Sequence, residues 1–175
     1  MNYHDIKHDD MNNGPGLRVT LFVSGCDHYC NGCQNPETWD TKSGIPFDNT
    51  AIEEIFEQLD NDYISGITFS GGDPLNENNR VEVCSLIHQI RLKYGKSKSI
   101  WIYTGYTYEQ LQERIKKNKN DYYLEPILRL ADVLVDGPFI QEKKDLTLAF
   151  KGSSNQRVID LQKTHAANDI VLLDI

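Results

Sequence analysis

Three cysteines within eight residues constrain this chain more than any other feature of its sequence. Cys26, Cys30 and Cys33 come directly after the apolar run 17–23, whose β-branched and aromatic residues are typical of a buried strand. Ser24 and Gly25 end that run. The thiols are therefore predicted to lie on a loop at the carboxyl end of a strand, which is the edge where α/β sheets bind their ligands.

The number of thiols bears on the kind of metal centre. Thiolates select zinc, copper(I) or iron–sulfur clusters. A structural zinc site has four protein ligands, and an electron-carrying 4Fe–4S cluster has four thiolates. Three thiolates on a 4Fe–4S cluster would leave one iron open for chemistry. His28 could instead complete a Cys3His zinc site, although a histidine between two of the cysteines is cramped for a tetrahedral site that uses all four side chains.

The spacing Cys-x3-Cys-x2-Cys on a loop after a strand resembles the cluster motif of the radical S-adenosylmethionine enzymes. A closer resemblance, to the activating proteins of anaerobic ribonucleoside-triphosphate reductases, covers the chain from about its start to Arg157. The ordered set of motifs is much more specific than the cysteine triplet alone. The segments that carry it are Asn13–Arg18, Leu21–Cys26, Gly32–Trp39, Gly71–Leu75, Tyr103–Tyr106, Val135–Phe139 and Lys151–Arg157.

This resemblance implies a metal centre and a cofactor. Cys26, Cys30 and Cys33 would each bind one iron of a 4Fe–4S cluster, with no catalytic residue beyond these ligands. The amino and carboxylate groups of S-adenosylmethionine would bind the fourth iron. The residues expected to contact that cofactor are Gly32, Cys33 and Gln34 on the cysteine loop, Gly71, Gly72 and Asp73 after a second strand, and Thr104 and Asp136 after two later strands.

Each of these cofactor contacts has a structural alternative. The glycines of Gly71–Pro74 let a backbone approach a ligand closely, but the segment also fits a tight turn in which Asp73 caps the next helix. Thr104 and Asp136 lie at strand ends that would face the mouth of a barrel, and they fit ordinary turns equally well. The polar segment Lys151–Arg157 could fold over the cofactor, touch a partner or form a surface loop.

By the same resemblance, the chain is expected to activate an anaerobic ribonucleotide reductase. The reduced cluster would cleave S-adenosylmethionine to methionine and a 5′-deoxyadenosyl radical, which would abstract a hydrogen atom from a backbone glycine of the reductase large subunit. A flavodoxin-like carrier would supply the electron. The alternatives are an activator of another glycyl-radical enzyme of the formate-lyase type, a non-catalytic binding module stabilised by zinc, and a simple electron carrier.

The apolar periodicity predicts strands that alternate with helices. We expect one domain over residues 1–175 with an α/β fold: a partial, open, TIM-like (β/α) barrel of parallel strands with helices outside. Residues 1–16 would form an N-terminal arm or loop and residues 158–175 a C-terminal tail. The predicted strands are 17–23, 64–70, 99–104 and 131–135, the predicted helices are 49–59, 76–94, 108–117 and 124–130, and weaker patterns indicate a strand at 146–150 and a helix at 157–164.

Composition excludes several classes of function. The net charge of −8 argues against a nucleic-acid surface, which needs a basic stripe. No apolar run is long enough to span a membrane and the N-terminus lacks the apolar region of a signal peptide, so the cytoplasm is the expected location. Reducing conditions there would keep the thiols free for a metal or for catalysis. The fourth cysteine, Cys84, lies on the apolar face of a predicted helix and is expected to pack in the core.

Overall fold

The computed structural model describes every residue from Met1 to Ile175, which fold into seven strands and five α-helices. None of the helices combines the length and the apolar character needed to cross a membrane. The strands are β1 Asn2–Asp10, β2 Leu17–Val23, β3 Ile45–Pro46, β4 Ile64–Gly71, β5 Ser99–Tyr103, β6 Val133–Asp136 and β7 Arg157–Asp160. The helices are α1 Asn49–Leu59, α2 Arg80–Tyr94, α3 Tyr108–Lys117, α4 Leu124–Leu130 and α5 Leu161–Ala167.

All seven strands form one open, mixed sheet in the order β3-β1-β2-β4-β5-β6-β7. The central strands β2, β4, β5 and β6 are parallel to one another, whereas β1, β3 and β7 pair antiparallel with their neighbours. The expected α/β class and open sheet are confirmed, but the expectation that all strands are parallel is wrong. A parallel pair needs a crossover connection, and neither the β1–β2 connection nor the β6–β7 connection contains an α-helix that could make one.

Strand β1 lies where the sequence predicted an arm or loop. Its backbone pairs with β2, with Ile6 opposite Leu21 and Lys7 opposite Thr20. Only Ile6 and Asp10 of β1 are buried. The prediction for residues 1–16 is therefore wrong over residues 2–10, because a strand that leaves most of its side chains in solvent has the composition of a loop.

Three further boundaries differ from the sequence prediction. Residues 157–160 form a strand rather than a helix, and α5 begins after them because the Asp160 side chain caps it, accepting from the Lys163 N–H at 2.9 Å. Helix α2 begins at residue 80 rather than 76, since residues 73–79 form successive turns. The predicted strand at 146–150 is absent. The other predicted strands and helices are confirmed to within two residues.

The five helices all contribute to one apolar core on a single face of the sheet. Side chains alternate along a strand, so Ile100 and Ile102 of β5 belong to this core while Trp101 faces the other side with Val133 and Val158 of a second, smaller cluster. Cys84 on α2 is part of the larger core, as the sequence predicted. No α-helix packs on the other face of the sheet, where residues from the connections between strands, such as Phe150, pack instead.

That helix-free face holds a buried arginine at the start of β2. Arg18 donates to the carbonyl oxygens of Ile67 and Ser99 at 2.8 and 3.0 Å and to the Thr68 hydroxyl at 2.8 Å. Its guanidinium also lies 5.6 Å from the centroid of the Trp101 ring. Burial lowers the pKa of Arg18 to about 10, so the side chain stays charged at neutral pH. These contacts fix β2, the strand that leads to the cysteines, against β4 and β5.

Candidate metal centre

A cavity of about 590 Å³ opens at the carboxyl ends of the parallel strands. The three loops that follow β2, β4 and β5 form its floor, because parallel strands bring their carboxyl ends to one edge of the sheet. Seven of the residues that the sequence singled out line it: Cys26, Cys30, Cys33, Gln34, Gly71, Gly72 and Thr104.

The cysteine loop is tied to the turn that follows it. The backbone N–H groups of Gly25 and Cys26 donate to the carbonyl oxygens of Thr38 and Trp39 at 2.7 and 3.0 Å. On its other side, the Asp73 N–H donates to the Gly25 carbonyl oxygen at 2.8 Å. The loop is thus held between the short 3-10 helix Pro36–Thr38 and the end of β4.

One of the three thiols accepts a backbone N–H: the Asn35 N–H donates to the Cys33 sulfur at 3.4 Å. The backbone N–H groups of His28 and Phe139 partly offset the effect of burial on the pKa of Cys26 and Cys30. Burial raises the pKa of Cys26 to about 12 and also raises the pKa of Cys30. A bound iron would replace these thiol protons and supply the positive charge that buried thiolates need.

The donor set fits a cluster better than a single metal ion. No group of three or more His, Cys, Asp or Glu side chains converges closely enough to hold one ion. In a 4Fe–4S cluster each thiolate binds a different iron, so the sulfurs stand farther apart than around zinc. The zinc alternative also needs a ring nitrogen of His28, and with Nε2 hydrogen-bonded to Asp73 at 2.7 Å it would have to use Nδ1, which does not converge with the three thiols on one point. Three thiols on the wall of a cavity of this size, one of them buried and two half-buried, are suited to an iron–sulfur cluster.

Comparison with known proteins agrees with this chemistry. A family model described as "4Fe-4S single cluster domain" matches residues 12–159. An anaerobic ribonucleoside-triphosphate reductase-activating protein of Escherichia coli K12 is 42% identical over 164 residues, which are 93% of this chain and 100% of that protein. The proteins of the same name from Enterobacteria phage T4 and Vibrio cholerae are 38% and 40% identical over 158 residues, covering 90% and 89% of this chain and 93% and 96% of those proteins.

The chain belongs to the family of anaerobic ribonucleoside-triphosphate reductase-activating proteins. This membership confirms the resemblance drawn from the sequence motifs. The matched range 12–159 of the activating protein begins before β2 and ends within β7, so it contains all three cysteines and every strand end around the cavity. Neither the zinc-stabilised module nor an activator of the formate-lyase type gains support from these relatives.

Three predicted cofactor contacts of the activating protein do not line the cavity. Asp73 is buried and accepts four hydrogen bonds within the protein. Asp136 is buried too, and it accepts from Arg157 and from the Tyr108 N–H at 2.7 Å. Gly32 is exposed, has a φ of +74°, and packs against the Gln141 side chain. The structure therefore brings the cysteines, Gln34, the two glycines and Thr104 together and gives these three residues other neighbours.

Sequence reasoning missed much of the cavity wall in this activating protein. His28 lines it, although the sequence suggested the residue only as a zinc ligand. Side chains alternate along a strand, so Tyr103 lies on the same face of β5 as Trp101, away from the helices. This alternation could have predicted that Tyr103 lines the cavity. The connection between β6 and β7 contributes a whole side of the cavity, and the only sequence signal for it was the polar segment at 151–157. Its lining residues are Gly137, Phe139, Asp145, Leu146, Leu148, Phe150, Lys151, Gly152 and Gln156.

Proposed function

We propose that this chain activates an anaerobic ribonucleoside-triphosphate reductase by generating a glycyl radical on it. The observation that carries the proposal is that Cys26, Cys30 and Cys33 all lie on the wall of one cavity, in a chain of this family. Cys26, Cys30 and Cys33 would hold a 4Fe–4S cluster. Such a cluster, reduced and with one iron free of side chains, would cleave S-adenosylmethionine to methionine and a 5′-deoxyadenosyl radical that takes a hydrogen atom from the reductase glycine.

The residues of this chain that would bind S-adenosylmethionine follow from the cavity wall. Gly72 lines it, and no N–H or O–H of the protein donates to its carbonyl oxygen, which leaves that oxygen free for the cofactor's amino group. Gln34, Gly71 and Thr104 are the other predicted contacts at the wall. Gly32, Asp73 and Asp136 would support the site from outside the cavity.

An open cavity supports a protein as the substrate. The helices cover only the opposite face of the sheet, so a glycine segment of the reductase large subunit could enter without a domain of this chain moving aside. We interpret the central strands as part of an incomplete (β/α) barrel whose missing wall the partner supplies, and we treat residues 1–175 as one domain. A flavodoxin-like donor could reach the cluster loop at its exposed residues Asp27, Tyr29 and Asn31. The cytoplasm remains the proposed location, because it keeps the thiols reduced.

The proposal is tested by incubating the anaerobically reconstituted, reduced protein with S-adenosylmethionine and the reductase of the same organism. We expect an electron paramagnetic resonance signal of an organic radical on the reductase, together with formation of 5′-deoxyadenosine. Cys30→Ser should abolish both, because it removes one of three cluster ligands.

Cys84→Ala is the matched control for that experiment. Cys84 is buried on α2, where it contacts His88 rather than the cavity, so its loss should leave the radical signal at full yield. A signal that survives Cys30→Ser, or a wild-type protein that binds stoichiometric zinc in place of iron and sulfide, would contradict the proposed function. A radical formed on a formate-lyase type enzyme but not on the reductase would contradict the proposed partner. It would support the alternative, an activator of that other glycyl-radical enzyme.

A further inference from the structure

One buried carboxylate joins the three loops that form the cavity floor. Asp73, after β4, is 1% exposed. Its Oδ2 accepts from the Thr104 hydroxyl at 2.9 Å and from the Gly105 N–H at 3.1 Å, both after β5. The same oxygen lies 2.7 Å from Nε2 of His28, on the cysteine loop after β2. Its Oδ1 accepts from the Leu75 N–H at 2.8 Å, so both oxygens are engaged.

These partners fix the direction of the bond to His28. The Gly105 N–H can only donate, so Oδ2 is an acceptor there, and the Thr104 hydroxyl is free to donate because it also accepts from the Tyr106 N–H at 3.2 Å. The His28 ring must then donate its Nε2–H to Asp73. A carboxylate with this many donors is well compensated for its burial.

The His28 ring is seated as well as hydrogen-bonded. It packs edge-on against Tyr106 with ring centroids 4.5 Å apart. It also covers Gly105 so closely that a Cβ there would overlap the ring. His28 lies two residues after Cys26 and two before Cys30, so its packed ring constrains the part of the loop that holds these two cysteines.

We propose that His28 and Asp73 are positioning residues for the metal centre: their hydrogen bond holds the cysteine loop against the ends of β4 and β5 in the geometry that the cluster requires. This inference rests on the proposed function. It adds to it the interaction that holds the cysteine ligands in place before the cluster binds. Neither side chain needs to touch iron, because Nε2 of the ring and both oxygens of the carboxylate are used within the protein. Outer partners of metal ligands typically affect metal retention by 10- to 100-fold.

The test compares two variants at position 28 with wild type, in the full chain with its cluster reconstituted and without S-adenosylmethionine or reductase. His28→Leu removes the donor, whereas the amide nitrogen of His28→Gln reaches the place of Nε2 and keeps it. We expect the leucine variant to release iron to a ferrous chelator roughly 10-fold faster than wild type, and the glutamine variant to stay within about twofold. The midpoint potential of the cluster should shift in the leucine variant and not in the glutamine variant, because a loosened loop changes the solvent exposure of the cluster.

His88→Leu is the control, since His88 is exposed on α2 and bonds only within its own helix turn. Should the leucine variant at position 28 fail to fold, His28→Asn replaces it, because the shorter amide does not reach Asp73. The inference is overturned if the variants without a donor keep wild-type iron release and potential, or if His28→Gln is impaired as severely as they are. A wild-type protein that assembles no 4Fe–4S cluster would instead refute the proposed function, and this inference with it.

Discussion

At the scale of single residues, Gly72 shows how tightly the cavity floor is built. A Cβ at this position would lie 2.7 Å from the Gly25 carbonyl oxygen and 3.0 Å from the Thr38 carbonyl oxygen. Both neighbours are backbone atoms, so the cysteine loop itself would have to move. We expect Gly72→Ala to lower the free energy of unfolding by about 1–3 kcal/mol and to reduce the iron bound per chain. Anaerobic urea denaturation and iron analysis would measure the two effects.

Gly95→Ala is the control for the Gly72 variant. It introduces the backbone strain of replacing a glycine, without a clash between the new Cβ and neighbouring atoms. Gly95 ends α2 with a φ of +57°, and nothing lies within 4 Å of its Cβ position. That variant should lose about 1–3 kcal/mol, because a φ of +57° with a ψ of −123° is strained for a residue that has a Cβ, and it should keep its full iron content. Equal iron contents in the two alanine variants would mean that Gly72 does not hold the loop in place. The sequence could indicate a close approach at Gly72, but not whether a ligand or Gly25 makes it.

At the scale of secondary-structure elements, Arg157 ties the last strand to the rest of the sheet. Its Nε donates to Asp136 at the end of β6 at 3.0 Å, and its Nη2 bonds the same carboxylate. Its Nη atoms also reach Glu109 in the first turn of α3 at 3.0 and 2.7 Å. Asp136 in turn accepts from the Tyr108 N–H, where α3 begins. The predicted cofactor contact at Asp136 is thus a junction between three elements.

Arg157→Met should destabilise this junction because it leaves the buried Asp136 carboxylate without a cation. We expect a loss of about 3 kcal/mol in the free energy of unfolding, measured in urea at neutral pH. Glu109→Gln should cost no more than about 1 kcal/mol, since that carboxylate is exposed. A methionine variant as stable as the glutamine variant would contradict the assigned role of Asp136.

The same junction gives a pH dependence with a defined sign. Hydrogen bonds from Arg157 lower the pKa of Glu109 to about 2, below its value of about 4.3 in an unfolded chain. The stabilising contribution of Glu109 is therefore complete above pH ~4.5 and is lost as the pH falls towards 2. Unfolding curves across that range should show a shallower acid dependence for Glu109→Gln, and identical curves would refute the contribution.

Local signals explain which elements the sequence predicted. Thr107 and Gln110 form a capping box, and α3 begins where that pattern predicted. The start of α5 was placed too early because residues 157–160 share their apolar content with a helix face, while the decisive cap, Asp160, lies inside the predicted span. Helix α2 begins four residues later than the pattern predicts, because Asp73 caps only a turn: its Oδ1 accepts from the Leu75 N–H, and further turns follow up to residue 79.

At the scale of the whole molecule, the site is assembled from segments far apart in the chain. The cysteines and the strand ends were predictable, because each is a local pattern at the end of an apolar run. The closing wall at residues 137–156 was not, since it depends on long-range contacts. Its Gln141 side chain packs against Gly32 on the cysteine loop. Its Phe150 carbonyl oxygen accepts from the Tyr103 hydroxyl at 2.7 Å, and the Phe150 ring packs on Trp101. No short-range pattern in the sequence encodes these pairings.

This arrangement couples metal binding to the order of a distant segment. Because Gln141 in this segment packs against Gly32 on the cysteine loop, iron that fixes the loop should also restrain residues 137–156. We expect hydrogen exchange, followed by mass spectrometry under anaerobic conditions, to slow on iron loading in residues 26–39 and again in residues 137–156. Helix α1 lies outside the cavity lining and should exchange at the same rate with and without iron.

Cys30→Ser should remove the protection at 137–156, because the variant lacks one of the three ligands through which the cluster would fix the cysteine loop. Protection confined to residues 26–39 in the wild type would show that the closing wall is held by Trp101 and Tyr103 alone, and that metal binding and the wall are independent.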